Sequence, residues 1–401
     1  MTLWLIVRRS LRQHLLSTLV TSFSIALAGG LWLSVWTIKD QANATFTGVN
    51  SGFDAVLGAR GSKLQLVLNS IFHVEASPGN LAWEDYLDLK NNPSVAAAIP
   101  IAVGDNYRGY RLVGVSTNLF SDIEYRPGQK FEVFPGGRVF DSTRREAVVG
   151  SFVARSLGLR PGDEFHPYHG LIFDEKSQHA ETYVVVGVLR PSNTPSDRVI
   201  WIPLAGLQRM SGHDPKTATD LSAVLVRLRS AQAGFRLDLL YNKQGDRLTL
   251  AWPIGQIMAQ LFSKISWFDR VLELIAYLIA VVAVGSVLAS IYNSMNERRR
   301  DIAILRSLGA RRHTIFGTII LEAVAIAVFG MVLAFGFYFA IFSVVAAVIR
   351  SEMGVVLTAM QWHPVMLWAP MVMIVLSALA GLVPAFKAYR TNVADYLTPV
   401  S

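Results

Sequence analysis

Four long apolar runs set the limits on what this chain can become: Ser17 to Ile38, Leu274 to Tyr292, Ala323 to Ile349 and Val365 to Phe386. Each approaches the ~20 apolar residues that a helix needs to cross a hydrocarbon core of ~30 Å. Composition decides between lipid and a protein core. At 52% hydrophobic and only 16% charged, the chain lies well below the ~25% charged residues of soluble proteins, so a membrane protein is expected. Arg8, Arg9 and Arg12 ahead of the first run leave a secretory signal open. The run is longer than the usual ~7–15-residue signal core, and no small-x-small site closes it, which favours an uncleaved span. Met1 to His14 reads as an amphipathic helix on the inner membrane surface, with Leu3, Trp4, Ile6 and Val7 opposed to the three arginines.

Orientation follows from the cations. Arg8, Arg9 and Arg12 precede the first run; Arg298 to Arg300, Arg306, Arg311 and Arg312 separate the second from the third; Lys387 and Arg390 follow the fourth. Four spans put all three groups on one side, which is then the cytoplasm, with both termini inside. The long segment from Lys39 to Lys264 lies outside. Its acidic and basic residues nearly cancel, so the net charge of +8 belongs to the cytoplasmic edges. The basic balance is a topology signal and gives no support to nucleic-acid binding. The chain has no cysteine, so the outer segment needs a hydrophobic core in place of disulfides.

Within that segment, Asp40 to Gly52 continues helically, Asp54 to Leu57 reads as a strand, and Trp83 to Lys90 as a helix with Asn80 as a possible cap. Short apolar runs with Gly and Pro punctuation mark strands at "SVAAAIPIAVG", "YRLVGVS", Ala147 to Val149, Thr182 to Arg190, Arg198 to Leu204 and Leu221 to Leu228. A helix from Phe152 to Leu157 ends at Gly158. After Asp246, Ile257, Leu261, Ile265, Phe268 and Leu272 keep helical spacing, which predicts a stalk helix entering the second span. The outer domain is α+β, and no internal repeat is visible.

The charged stretch "NERRRDIAILRSLGARRHTIFG", Asn296 to Gly317, is unusual between two greasy runs. Ile302, Leu305 and Leu308 fall three apart, Ala303 and Ile304 widen the stripe, and Gly309 has the position of a left-handed helix stop. This is a short amphipathic helix on the cytoplasmic side. It either lies on anionic headgroups or docks a cytoplasmic partner, apolar knobs filling a groove and charges fixing register.

"NERRRDIAILRSLGARRHTIFGTIILEA" resembles the signature of the FtsX-like, or MacB-like, permeases of ABC transporters. The similarity covers the whole architecture. It is strongest from Phe268 to Leu397 and around Arg145 to Phe165, and "PAFKAYRTNVADYL" is similar to the family's closing segment, though less basic than usual. The resemblance implies a fold class: an α-helical membrane protein with four transmembrane helices plus a large α+β periplasmic domain inserted between helices 1 and 2. The segments are an amphipathic cytoplasmic helix (1–16), spans at 17–38, 265–292, 314–349 and 365–386, a periplasmic domain with stalks (39–264), a coupling-helix loop (293–313), a short periplasmic loop (350–364) and a cytoplasmic tail (387–401). The resemblance also implies a bacterial inner-membrane subunit used as a homodimer and two copies of a separate cytoplasmic ATPase that bind ATP and Mg. Glu297, Arg298, Arg299, Asp301, Ile302, Leu305, Arg306, Leu308 and Gly309 then form the coupling segment. ATP-driven closure of the ATPases would move the stalks and outer domains in export or extraction of a hydrophobic or amphipathic substrate, such as a lipid, lipoprotein or peptide. The alternative is a complex that transports nothing and activates a periplasmic partner, or a transporter linked to metal homeostasis.

The chain itself shows no catalytic constellation and no cofactor site of its own. "GARGSK" (Gly58 to Lys63) lacks Walker A spacing and reads as a turn. "FHPYHGLIFDEKSQHAETY" carries His166, His169 and His179 beside Asp174, Glu175 and Glu181; three imidazoles suit zinc, while a solvated polar loop explains the same residues. Glu322 stands inside the third span, where a carboxylate is costly, and pairing with Arg312 or a neighbouring helix accounts for it better than a proton relay. "LQLVLNSIF" (Leu64 to Phe72) is buried core or a membrane-proximal flap, and "SNTPSDRVIW" (Ser192 to Trp201) is structural.

Overall fold

Chain order begins with two helices, α1 (Leu3–Gln13) and α2 (Leu15–Gly48), in a computed structural model that describes residues 3–48, 50–213, 218–307 and 309–390. There follow β1 (Ala55–Ala59), α3 (Lys63–Ser70), α4 (Trp83–Lys90), β2 (Val95–Tyr107), β3 (Tyr110–Val115), α5 (Asn118–Asp122), β4 (Glu124–Arg126) and β5 (Gln129–Lys130). Then come β6 (Glu146–Val149), α6 (Ser151–Leu157), β7 (Glu164–Phe165), β8 (Tyr168–His169), β9 (Tyr183–Val188), β10 (Ile200–Pro203), α7 (Leu204–Gln208), β11 (Ala223–Leu228), α8 (Ala231–Asp238) and β12 (Leu248–Ala251). Four helices complete the chain: α9 (Ile254–Glu297), α10 (Arg299–Ser307), α11 (Arg312–Met353) and α12 (Val365–Arg390). Contacts divide these into two units, Met1–Gln41 with Ile265–Ala346 and Thr358–Ser401, and Ala42–Lys264 with Ala347–Leu357.

In the first unit, α2, α9, α11 and α12 are long and apolar enough to cross a membrane. Three exceed the expected runs: α2, α9 and α11 have 34, 44 and 42 residues. At 1.5 Å per residue, α9 is about 66 Å long, roughly twice a hydrocarbon core, so it reaches well beyond lipid as a single stalk helix. The span within α2 is the most enclosed of the four, because glycines bring its backbone against α11. A Cβ on Gly29 would lie 2.7 Å from Met331 Sδ, one on Gly30 2.6 Å from Phe337 Cβ, and one on Gly330 2.7 Å from Ile25 Cβ. Small residues that let backbones approach are what holds helices together where lipid removes the hydrophobic drive. Ser34 and Thr37 hydroxyls donate back to the Gly30 and Leu33 carbonyls, each at 2.7 Å, which keeps polar groups of α2 satisfied in an apolar setting. Further along, Trp32 and Trp36 meet Trp368 edge to face, and Lys39 pairs with Glu273 at 2.7 Å.

The second unit is built on one large sheet, in the order β12-β1-β11-β2-β3-β10-β6-β9-β7, with β8 added to the end of β2. Pairing is antiparallel except for β10 with β3 and β6 with β9. Both faces are covered, and the strands show it residue by residue. In β11, Ala223 and Leu225 join a core with Phe46, Leu66, Val67, Trp201 and Ile257, whereas Val224 and Val226 join Leu57, Tyr86, Leu89 and Leu250 on the other face. A strand buried on both faces reads as a continuous apolar run, which is why β2, β3, β9, β10 and β11 stand out in the sequence.

Two local expectations change, and one open reading closes. Leu248 to Ala251 is a strand paired with β1, not the start of the stalk helix; Trp252-Pro253 separates the two. "LQLVLNSIF" forms α3, capped by Ser62 accepting from the Gln65 amide, with Leu66 and Val67 buried, so it is core and no flap. The cap of α4 is Ala82, not Asn80: the Asp85 carboxylate accepts from the Ala82 amide at 3.1 Å and settles one of the amides a helix start leaves unpaired.

Candidate functional site

Two clusters carry polar chemistry that the fold alone does not require. The first surrounds α10. Arg298, where α9 gives way to α10, donates to the Ser10 hydroxyl and lies 3.5 Å from Glu322 Oε2, while Ser10 donates to Glu322 Oε1 at 2.5 Å. Ser10 and Glu322 are both buried. The carboxylate in α11 thus has its counter-charge and a hydroxyl donor, the usual condition for a charge held out of water. Arg312 takes no part, because its guanidinium stacks over the Tyr389 ring at 5.6 Å. Nearby, His14 lies 3.2 Å from Glu297.

α10 has two distinct faces. Ala303 is buried, and Ile302 and Leu305 line a cleft with Ile6, Ile291, Ile315 and Ile319, so the apolar stripe faces the chain's own helices. The outward face carries Arg300, Ile304 and Ser307, all exposed, with Arg306 half-buried. Gly309, at φ +100°, stops the helix in a conformation open to glycine and strained for other residues. Arg299 and Asp301 belong to α10 by their backbone, and Leu308 lies outside the described residues.

The second cluster lies at the far end of β2. A register shift between Val103 and Asp105 marks a bulge there, a device that re-aims a side chain, and Asp105 is fully buried. Residue Asp105 pairs directly with His169 of β8, and side chains opposite each other in a ladder are neighbours. A backbone bond from His179 to the Pro167 carbonyl, 2.8 Å, closes the loop that brings His179 to the same place. The turn after α7 supplies His213. Atoms of Asp105, His169, His179 and His213 lie within 4.8 Å of one another. Asp105 Oδ1 is 3.4 Å from His169 Nδ1 and 3.4 Å from His179 Nε2, and Oδ2 is 3.2 Å from His213 Nε2.

Surrounding residues hold this arrangement. Asn106 donates its side-chain amide to the Gly170 carbonyl at 2.9 Å. Glu181 accepts from the Ser211 amide and hydroxyl at 2.9 and 2.8 Å, which ties the turn before His213 to the segment after His179. Burial opposes ionisation of Glu181, but the Ser211 bonds outweigh it and hold the carboxyl below its usual range. The Asp105 hydrogen bond pushes the His213 imidazole above its ordinary value. Of the histidines expected from the sequence, His169 and His179 come together; His166 turns away, its Nδ1 3.2 Å from the Glu181 carbonyl.

The MacB-like periplasmic core domain matches residues 18–234 and the FtsX-like permease C-terminal domain matches residues 273–393. The chain belongs to the FtsX-like, MacB-type permease family of ABC transporters. Among curated relatives of this permease is the lipoprotein-releasing system transmembrane protein LolC of Haemophilus influenzae, 25% identical over 85% of this chain and 87% of LolC. Another is the pyoverdine export ATP-binding/permease protein PvdT of Pseudomonas syringae pv. tomato, 24% identical over 92% of this chain and 58% of PvdT. Solved structures similar to the permease include the extracellular domain of the ABC-type transporter YknZ from Gram-positive bacteria (19% identity, 49% of this chain and 97% of that one, TM-score 0.30). The periplasmic region of MacB from Actinobacillus actinomycetemcomitans is another (13% identity, 54% and 94%, TM-score 0.35). Among its described residues the permease has four helices long and apolar enough to cross a membrane, and its outer segment matches the MacB-like periplasmic core.

Sequence reasoning on this permease missed Asp105 and His213. A lone acid at the end of an apolar strand, "IAVGDNY", and a histidine in a Gly turn, "SGHD", were the available signals. Neither is specific until the sheet register places them opposite "YHG".

Proposed function

We propose that this chain is the membrane subunit of an ABC exporter of the mechanical type, in which a cytoplasmic ATPase docks on α10 and its closure moves α2 and α9, the helices that run on into the outer domain. The observation that carries the reading is the two-faced α10. Its inner face is bound to the bundle by Ile302, Ala303 and Leu305, and its root is locked by Arg298, Ser10 and Glu322. A helix fastened this firmly on one side transmits force, while Arg300 and Ile304 remain on the other to engage a partner. The ATP-hydrolysing part and its Mg belong to a partner, two copies serving a pair of permease chains, with both termini of the permease in the cytoplasm. LolC is named for lipoprotein release and PvdT for pyoverdine export, which favours an amphipathic cargo handled by the outer domain and exported.

The test follows from the two faces. Ile304→Asp, on the exposed face, is expected to abolish co-purification of an ATP-hydrolysing protein from native membranes while the permease keeps its melting temperature. Leu305→Asp places a charge in the inner cleft and is expected to lower stability as well. Recovery of the same ATPase with Ile304→Asp at wild-type yield rejects the docking role of α10.

A further inference from the structure

The coupling proposed above does not use the second cluster, whose chemistry points elsewhere. Five of the chain's eight histidines lie between the first two spans, and three of the five converge on one buried carboxylate. Asp105 Oδ2 and His179 Nε2 are both buried without a hydrogen-bond partner. Leaving such atoms unpaired is costly, and the loop is nevertheless held closed around them by Asn106 and Glu181.

We propose that Asp105, His169, His179 and His213 form a zinc(II) site in the periplasmic domain, which fastens the loop between β7 and β9 to the sheet. The distances suit a metal better than direct ion pairs. Charge-assisted N–H···O bonds run at about 2.7–2.9 Å, whereas the carboxylate–imidazole separations here are 3.2–3.4 Å. Ligands at about 2.0–2.1 Å from a tetrahedral ion are about 3.3–3.4 Å apart; the carboxylate–imidazole separations match that edge, and the whole set, within 4.8 Å, closes onto it when the ion binds. Three imidazoles with one carboxylate is a donor set for zinc; calcium and magnesium take oxygen ligands. Both neighbours that orient the ligands are in place: Glu181 fixes the turn carrying His213, and Asn106 fixes the strand carrying His169, the supporting role that metal ligands commonly need.

Access is provided on one side. Asp105 and His179 form the floor, and the half-exposed His169 forms the rim, so the ion enters from solvent and completes the set by drawing His169 in. With four protein ligands no coordination position remains open, which assigns the site to holding structure rather than to hydrolysis. The loop it holds presents Ile172, 85% exposed, so metal occupancy fixes where an apolar side chain is displayed on the outer domain.

The experiment uses the full chain without a histidine tag, purified in detergent, stripped with chelator and dialysed. Titration with zinc chloride is expected to give one ion per chain by elemental analysis, and cobalt(II) in its place the intense visible absorption of a tetrahedral site. Asp105→Asn and His179→Ala are expected to weaken zinc binding at least a hundredfold, and His166→Ala to leave it unchanged. Zinc is further expected to slow proteolysis within residues 166–181 in wild type. Wild-type protein that takes up no zinc at micromolar concentration overturns the proposal, independently of how any variant folds. So does retention of wild-type affinity by folded His179→Ala, or a cobalt spectrum of octahedral type.

Discussion

At the level of single residues, two buried groups make checkable demands. Glu322 depends on Arg298, since removing one partner of a buried pair leaves an uncompensated charge at a cost of about 3 kcal/mol. Arg298→Ala is expected to destabilise the solubilised permease by that order in denaturant unfolding, and adding Glu322→Gln to restore most of it; equal losses in the single and double variants would show that the pair is not what fastens the α9–α10 junction to α11. His73 in the outer domain poses a different demand. It sits at φ +56° beside Trp201, and burial first, then the nearby Arg111, pushes its imidazole down to about 3. The folded form rejects a proton that the unfolded chain accepts below its ordinary value of 6.5, so stability falls as pH drops from about 6.5 towards 3. Between pH 6.5 and 5 the loss from this group is about 2 kcal/mol. His73→Asn, which tolerates the same backbone, is expected to flatten the pH dependence of thermal unfolding across that window. An unchanged slope would place the acid sensitivity elsewhere.

Elements were legible in the sequence to the degree that their burial is uniform. The four spans announce themselves because lipid demands long apolar runs, and β9 to β11 because both sheet faces are covered. β12 was hidden for the same reason that made the stalk visible: Leu248 to Ala251 is as apolar as the helix that follows, and only its pairing with β1 separates them. α3 left core and flap both open because its run is apolar nearly throughout, and only the burial of Leu66, Val67, Asn69 and Ser70 separates the two. Half of the histidine cluster, His169 and His179, lies ten residues apart and could be read; Asp105 and His213 reach it through a strand register and a turn, which no local pattern encodes. The α2–α11 contact was equally invisible, since Gly29 and Gly30 look like ordinary members of an apolar run. Gly30→Val is expected to cost about 1–3 kcal/mol, because the new carbon meets the Ala334 carbonyl oxygen at 3.0 Å as well as Phe337, and backbone cannot step aside. Unfolding of the variant at wild-type denaturant concentration would mean that the helices approach less closely than described.

For the whole molecule, α10 turns one face to the permease's own helices, and the proposed function gives its other face to a partner. Family membership establishes the ABC permease; the docking role is proposed from the exposed Arg300 and Ile304 of α10. A photo-reactive amino acid at Ile304, with Ala303 as the buried control, tests it in intact cells. Ultraviolet cross-linking from position 304 to a protein that binds and hydrolyses ATP, absent from position 303, is the result predicted. Cross-linking from 304 to lipid alone would show that α10 lies on the membrane surface and would contradict the account.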